Sequence, residues 1–229
     1  MRIYSHRGVR RELGVRENTP AAFAAAAAAG VEGIETDVQV TADGCLILLH
    51  DIHTPTGRPV VELTRSELET ELGYQVPEVE DVLRQWPAMT WNLEVKFPAA
   101  VELLIPLLQK YHPKVPLLVT SFWHDAIARI ACAVDVMCGL LTYHRPANLV
   151  SDIAAWRALP NVRVLAWFHA FVDGDLIAQA RAGGMTNAVW GVRFPHDHER
   201  CYKIGADIII TDFPEMARAA VPRDESPRT

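Results

Sequence analysis

The order of the apolar runs is the feature that most constrains the fold of this sequence. Short runs rich in β-branched residues alternate with longer segments of helical spacing along the whole chain. Such alternation is typical of parallel strands joined by helices, and eight strands within 229 residues predict an α/β fold, a (β/α)8 barrel. The predicted strands cover Ile3–Ser5, Gly33–Val38, Trp91–Lys96, Val115–Ser121, Val136–Leu141, Val162–Phe168, Asn187–Trp190 and Asp207–Thr211.

Helical segments are predicted between these strands. Pro77 precedes one of them, and Gly30 and Gly183 follow two others, as is typical of helix starts and ends. We expect a single domain over residues 1–220, with a disordered polar tail over 221–229. The helical segments cover Thr19–Ala29, Glu78–Trp86, Ala99–Tyr111, His124–Ala133, Ala147–Ala158, Asp175–Ala182 and His196–Ile204.

One segment breaks the alternation. Only seven residues separate Val38 from Leu46, whereas a parallel crossover needs about a dozen or more. The two runs therefore predict an antiparallel hairpin with its turn near Asp43-Gly44, which brings His50 level with Asp37. The full prediction is a (β/α)8 TIM barrel with a short insertion after an antiparallel β-hairpin.

Composition excludes several classes of protein. The formal net charge of −6 argues against a nucleic-acid-binding surface, which normally carries a basic excess. No stretch approaches the roughly 20 apolar residues of a membrane span, and the five residues before His6 lead us to expect no signal peptide. Four cysteines without metal-ligand spacing are expected to be reduced and mostly buried. We therefore expect a cytoplasmic protein with no stable membrane association, whose oligomeric state stays open.

Three acids occur where barrel strands are predicted to end. Glu35 and Asp37 are two residues apart, as are Glu94 and Lys96, so each pair lies on one face of its strand. A single acid at a strand end is more often exposed or paired with a cation. Three acids that point inward at one barrel end repel one another without a cation, and carboxylates suit Mg²⁺ or Ca²⁺. Glu35, Asp37 and Glu94 are therefore predicted to bind one divalent metal ion.

His6 and His50 are the candidates for proton transfer. Each closes an apolar strand and precedes a polar residue, and histidine titrates near neutral pH. The alternative for each is a hydrogen-bonded structural histidine.

Other residues have a less specific signal. Arg7 and Lys96 offer fixed positive charge to phosphate oxygens, or else pair with the carboxylates. Trp190 is equally compatible with a wall of the barrel mouth and with core packing. His196 and His198 are expected at an exposed helix start, and the arginines of segment 10–16 in a solvated loop. These residues together predict a metal-dependent phosphodiesterase that acts on a small molecule.

The sequence resembles glycerophosphodiester phosphodiesterases nearly from end to end. Each motif is weak alone, but their order and spacing together are specific. The resemblance is carried by His6-Arg7-Gly8, Glu17-Asn18-Thr19, residues 33–39, His50-Asp51, residues 77–83 and 93–96, Thr120-Ser121-Phe122, Val189-Trp190 and residues 205–214.

This resemblance implies hydrolysis of glycerophosphodiesters to glycerol 3-phosphate and an alcohol. It implies Glu35, Asp37 and Glu94 as ligands of Mg²⁺ or Ca²⁺, and His6 and His50 as the acid–base pair. It also implies Arg7 and Lys96 as phosphate ligands, with Glu17 at the edge of the site.

The sequence departs from the family pattern at two places. The segment from Ile52 to Gln75 is short, and Gly191-Val192-Arg193 stands where the family commonly has Thr-Val-Asn. Both departures concern substrate specificity. A lysophospholipase D-like activity is the alternative, but it needs an apolar lip, and no long hydrophobic loop follows Asp51. A non-catalytic barrel that binds phosphorylated ligands is weaker still, because no site residue is missing.

Overall fold

The computed structural model describes residues 1–9 and 14–221 and has a closed barrel of eight parallel strands. The barrel closes because β1 pairs with both β9 and β2. The predicted fold class is thus confirmed. The strands are β1 (Arg2–His6), β2 (Gly33–Val40), β3 (Leu46–Leu48), β4 (Thr90–Val95), β5 (Leu117–Ser121), β6 (Met137–Thr142), β7 (Val162–Phe168), β8 (Thr186–Val192) and β9 (Ile208–Thr211).

The helices lie between the strands, and none of those described is long and apolar enough to cross a membrane. Short 3-10 helices cover Val60–Glu62, Pro98–Ala100 and His169–Phe171. The tail from residue 222 onward lies outside the described part of the chain, as do residues 10–13 of the arginine loop. The helices are α1 (Pro20–Ala28), α2 (Arg65–Leu72), α3 (Val79–Gln85), α4 (Val101–Tyr111), α5 (His124–Ala133), α6 (Leu149–Arg157), α7 (Gly174–Ala182), α8 (Pro195–Lys203) and α9 (Pro214–Ala220).

The predicted hairpin is present, and it positions His50. Strand β3 runs antiparallel to β2, with Val38 opposite Leu48. The Leu49 N–H donates to the Asp37 carbonyl at 2.9 Å, so His50 follows at the level of the carboxylates. The Gln39 side chain donates to the carbonyls of Leu49 and Asp51 at 2.7 and 2.9 Å, which fixes the chain beyond β3.

Apolar side chains form the cores of the protein, and polar groups occupy one end of the barrel. A large core fills the space between strands and helices, and a smaller one fills the barrel interior around Tyr4, Val164 and Ile210. The inserted segment has its own apolar cluster, which includes Val60 and Leu68. The polar residues of the predicted site therefore lie at the carboxyl ends of the strands, where barrels of this type bind ligands.

Two expectations about individual residues are wrong. His196 is exposed as expected, but His198 is fully buried. The two residues are two positions apart on one helix, so their side chains point about 200° apart around the helix axis. The His198 ring bonds to the Phe194 carbonyl at 2.8 Å and to Thr211 Oγ1 at 2.9 Å. The cysteines are all free, but only two are buried: Cys138 and Cys201 are buried, Cys45 is partly exposed and Cys132 is exposed.

Candidate active site

The structure brings the three predicted metal-ligating acids together. Glu35 and Asp37 lie on β2 with one residue between them, and Asp37 faces Glu94 in the parallel register of β2 and β4. One carboxylate oxygen of each residue lies within 4.8 Å of the others. This spacing suits a single cation bound by several oxygens.

Glu35 is the least compensated of the three acids. Both of its carboxylate oxygens are buried, and neither has a hydrogen-bond partner within residues 1–9 and 14–221. Burial, followed by the neighbouring Asp37 and Glu94 carboxylates, raises the pKa of Glu35 well above its ordinary value. A buried carboxylate without donors is costly, and a bound cation would remove that cost.

Asp37 is held as a carboxylate by two cations and one hydrogen bond. Burial favours its neutral form, but Arg7, Lys96 and His50, with a hydrogen bond from Asn18, bring the pKa of Asp37 below its usual range. Arg7 Nε lies 3.0 Å from Asp37 Oδ2, and Lys96 Nζ lies 3.3 Å from Oδ1. Asn18 Nδ2 donates to Oδ2 at 2.9 Å. Asp37 therefore supplies a permanent negative charge at the centre of the cluster.

The two predicted phosphate ligands pair with these acids. Lys96 Nζ donates to Glu94 Oε1 at 2.8 Å, and Arg7 donates to Glu17 Oε1 at 2.9 Å. Burial lowers the pKa of each cation, but nearby carboxylates outweigh burial and raise it overall. The pKa of Glu94 is raised by burial and by Asp37, although Lys96 opposes the shift. Arg7 and Lys96 are therefore ion-paired with carboxylates, which was the alternative to phosphate binding. Both side chains stay charged beside the site.

A tight turn after β1 presents Arg7 to the cluster. Arg7 has a positive φ of 57°, and its N–H donates to the Glu35 carbonyl at 2.8 Å. At Gly8, φ is +82°, and a Cβ would lie 2.7 Å from the backbone of Ala22. Only glycine fits this close approach of the turn to α1. The glycine of the His-Arg-Gly motif therefore positions the arginine.

Each predicted catalytic histidine has a carboxylate partner at one ring nitrogen. His6 Nδ1 lies 2.8 Å from Asp212 Oδ1, and its Nε2 lies 3.8 Å from Glu35 Oε2. His50 Nδ1 lies 2.8 Å from Asp51 Oδ1. A carboxylate partner makes Nδ1 the donor, so in each neutral ring Nε2 carries the lone pair.

Two joined cavities give access to these groups. An inner cavity of about 290 Å³ is lined by the histidines, Glu35, Glu94 and Lys96. An outer cavity of about 630 Å³ shares His6, His50 and Trp190 with it. Trp190 forms a wall of both cavities, while its Nε1 donates to the Ala166 carbonyl at 3.2 Å. Trp190 therefore lines the mouth and also packs against the barrel interior, and its contact with a substrate stays a prediction.

Sequence reasoning missed several residues around the site. Asn18 was noted only within the Glu17-Asn18-Thr19 motif, yet its Nδ2 donates to Asp37 Oδ2 and its Oδ1 accepts from Thr36 Oγ1 at 2.7 Å. Asp212 lies just after the last barrel strand, and this position alone could have identified it. The aromatic side chains of Tyr143 and Phe122 line the inner cavity, and an isolated aromatic residue gives no comparable signal.

A (β/α)8 barrel with clustered acids, two histidines and two cations at its ligand-binding end defines a phosphoester-cleaving enzyme. Residues 6–216 match the glycerophosphoryl diester phosphodiesterase family, and the chain belongs to that family of enzymes. The resemblance seen in the motifs is thereby confirmed.

Individual relatives agree with this assignment. The chain is 28% identical to a glycerophosphodiester phosphodiesterase of Caldanaerobacter subterraneus, over 93% of this chain and 94% of that protein. It has the fold of a glycerophosphodiester phosphodiesterase from Parabacteroides distasonis, with a TM-score of 0.83, 22% identity and 95% of each chain covered. A phosphodiesterase of Oleispira antarctica, solved in complex with the product sn-glycerol-3-phosphate, has a TM-score of 0.81, 22% identity and 96% coverage of each chain.

Proposed function

We propose that this protein hydrolyses glycerophosphodiesters to sn-glycerol 3-phosphate and an alcohol. Membership of the glycerophosphoryl diester phosphodiesterase family supports this reaction, as does the name of the Caldanaerobacter relative. The product bound to the Oleispira protein is the phosphate monoester that such a reaction releases. The small-molecule substrate predicted from the sequence is therefore a phosphodiester of glycerol.

The acidic cluster is the observation that carries the proposal. Glu35, Asp37 and Glu94 would hold one divalent cation, Mg²⁺ or Ca²⁺, because their clustered oxygens include buried ones without a protein donor. When bound, the cation supplies Lewis-acid polarisation of the phosphate and neutralises its charge. Burial, together with the neighbouring carboxylates, raises the pKa values of Glu35 and Glu94, which marks the cost of leaving these acids without a cation.

Arg7 and Lys96 would bind the phosphodiester. Both are charged, largely buried, and adjacent to the acids, so their N–H groups are donors for phosphate oxygens. Glu17 holds the Arg7 guanidinium at the edge of the site through its 2.9 Å bond. Trp190 lies farther out, where it would contact the organic part of the substrate.

His6 and His50 would transfer the protons. One Nε2 accepts a proton from the nucleophile, either water or the neighbouring glycerol hydroxyl, as a new P–O bond forms. The other ring, protonated at both nitrogens, donates its Nε2 proton to the departing alkoxide oxygen as the original P–O bond breaks. If the glycerol hydroxyl attacks, a cyclic phosphate forms first and water opens it. Asp212 and Asp51 accept from Nδ1 of the two rings, which leaves each Nε2 free to exchange the proton.

Release of glycerol 3-phosphate from glycerophosphocholine tests the proposal. The purified protein is assayed with Mg²⁺, with Ca²⁺ and with a chelator, beside Glu35→Gln and the control Glu102→Gln on exposed α4 surface. We expect metal-dependent release by the wild type and the control, and a loss of ~100-fold or more in Glu35→Gln. Undiminished release in chelator would contradict the metal site, and no release under any condition would contradict the reaction.

A further inference from the structure

Exposed aromatic side chains surround the mouth of the barrel. Within the described residues, seven aromatic side chains are strongly exposed, and six of them follow strands β4 to β8 at the end that holds the site. Each of the six is 40–58% exposed, although aromatic rings gain from burial. We call this set the aromatic arc, and its members are Phe97, Phe122, Trp123, Tyr143, Phe171 and Phe194.

The aromatic arc continues the wall of the catalytic cavity. Phe122 and Tyr143 each contact the Trp190 ring with centroids 5.6 Å apart, and Tyr143 contacts Phe171 at 5.9 Å. Trp190 and Tyr143 line both cavities, whereas Phe194 lines the outer one. Phe122, Trp190, Tyr143 and Phe171 therefore form a connected apolar surface that begins at the inner cavity and reaches the solvent.

One departure from the family pattern supports this wall. Phe168 stacks on Tyr143 at 4.4 Å with 23° between the ring planes. A Cβ on Gly191 would lie 2.6 Å from the Phe168 ring, and Gly191 has a φ of +80°. A side chain at 191, such as the threonine common in the family, would displace Phe168 and with it the support of Tyr143. The glycine thus allows a wider aromatic wall.

We propose that the aromatic arc binds a long apolar chain of the substrate, so that the preferred substrates are glycerophosphodiesters that retain one acyl or alkyl chain. This inference rests on the proposed function. A cluster of exposed aromatic side chains beside a cavity is typical of a binding site. Because the arc continues the cavity wall, its occupant shares the entrance with the phosphodiester. A chain covalently joined to the substrate does so without blocking entry, whereas a docked protein would cover the mouth.

The sequence disfavoured such substrates for lack of an apolar lip after Asp51. The structure supplies the lip from other loops, those that follow β4 to β8. Each of these loops contributes only one or two residues to the aromatic arc, so the sequence of any one loop does not indicate a hydrophobic surface. The lack of a hydrophobic loop after Asp51 therefore does not exclude an apolar lip built from several loops.

Two substrates with the same head group test the proposal. Glycerophosphocholine and a lysophosphatidylcholine below its critical micelle concentration differ only by the acyl chain. Their kcat/KM values are compared in the wild type and in the double variant Phe171→Ser/Phe194→Ser. Phe194 is the N-cap of α8, where serine is favoured, so this change is compatible with folding. Met137→Ser is the matched control, since Met137 is 48% exposed at the opposite end of the barrel.

We expect the wild type to favour the lysolipid by ~10-fold or more in kcat/KM. The double variant should lose ~10-fold on the lysolipid, mainly through KM, and stay within about twofold of wild type on glycerophosphocholine. The control should match the wild type on both substrates. Equal wild-type values for the two substrates, or an equal loss on both in the double variant, would overturn the proposal.

Two further readouts separate this inference from the proposed function. If neither substrate is hydrolysed, the proposed function fails. Saturable quenching of tryptophan fluorescence by the lysolipid in the wild type, weakened in the double variant, then still supports the arc as a chain site, and its absence overturns it. A wild-type dimer in size-exclusion chromatography that the double variant converts to monomer would assign the arc to a second copy of the chain, and would also overturn the proposal.

Discussion

At the scale of single residues, the site consists of groups that set one another's charge and tautomer. Asp37 stays ionised because Arg7 and Lys96 flank it, whereas burial and the neighbouring carboxylates raise the pKa of Glu35. A neighbouring carboxylate also sets the tautomer of a histidine, since Asp212 fixes the proton on His6 Nδ1. The chemistry therefore depends on pairs of residues more than on any one of them.

Replacement of either histidine tests the proton-transfer roles. We expect His6→Ala and His50→Ala each to lower kcat on glycerophosphocholine by ~10²–10⁴-fold, the usual loss for a general acid or base. His196→Ala, whose side chain is 77% exposed, is the control and should match the wild type. Near-native kcat in one of the two variants would remove that histidine from the mechanism.

At the scale of the elements, helix α8 is tied to strand β9 by a buried imidazole. His198 Nδ1–H donates to the Phe194 carbonyl, so Nε2 accepts from Thr211 Oγ1. Thr211 Oγ1 also accepts the Phe213 N–H at 3.0 Å. This network orders the strand end from which Asp212 reaches His6.

The His198 network predicts a loss of stability in acid. Burial lowers the pKa of His198 below its ordinary 6.5, although the Phe194 bond and Asp197 oppose the shift. Because the folded state disfavours the proton, the contribution of His198 is complete above about pH 6.5 and is lost as pH falls through the lowered folded pKa.

Urea unfolding at pH 7.5 and pH 5.5 measures this contribution. His198→Gln should be less stable than wild type at pH 7.5 by ~1–3 kcal/mol, as for a broken buried hydrogen bond, and should lose less stability on acidification. The exposed control His196→Gln should follow the wild type. The same acid-induced loss in His198→Gln and wild type would assign the pH dependence to other groups.

At the scale of the whole molecule, the barrel was predictable because its signals are local and repeated. Strand runs, helix ends and the short hairpin connection each constrain the chain within a few residues. Helix α2 was missed although its signals are present, a Thr64–Glu67 capping box and a left-handed Gly73. Its surface is polar, so the apolar periodicity that reveals buried helices is weak there.

Only those residues of the site that lie at the ends of predicted strands could be predicted from the sequence. Glu35, Asp37 and Glu94 could be inferred because parallel strands bring their carboxyl ends to one side of the barrel. The partner of His6 is 206 residues away in sequence, and the aromatic arc combines six residues from five loops. Such contacts depend on the closed barrel and have no local pattern.

The central claim is that the acidic cluster binds a divalent cation, and calorimetric titration of Ca²⁺ or Mg²⁺ into chelator-treated, dialysed protein tests it most directly. We expect one cation per chain in the wild type and in Glu102→Gln, and loss of that binding in Glu35→Gln, because Glu35 supplies buried oxygens without other partners. Absence of binding in the wild type, or unchanged binding in Glu35→Gln, would contradict the claim.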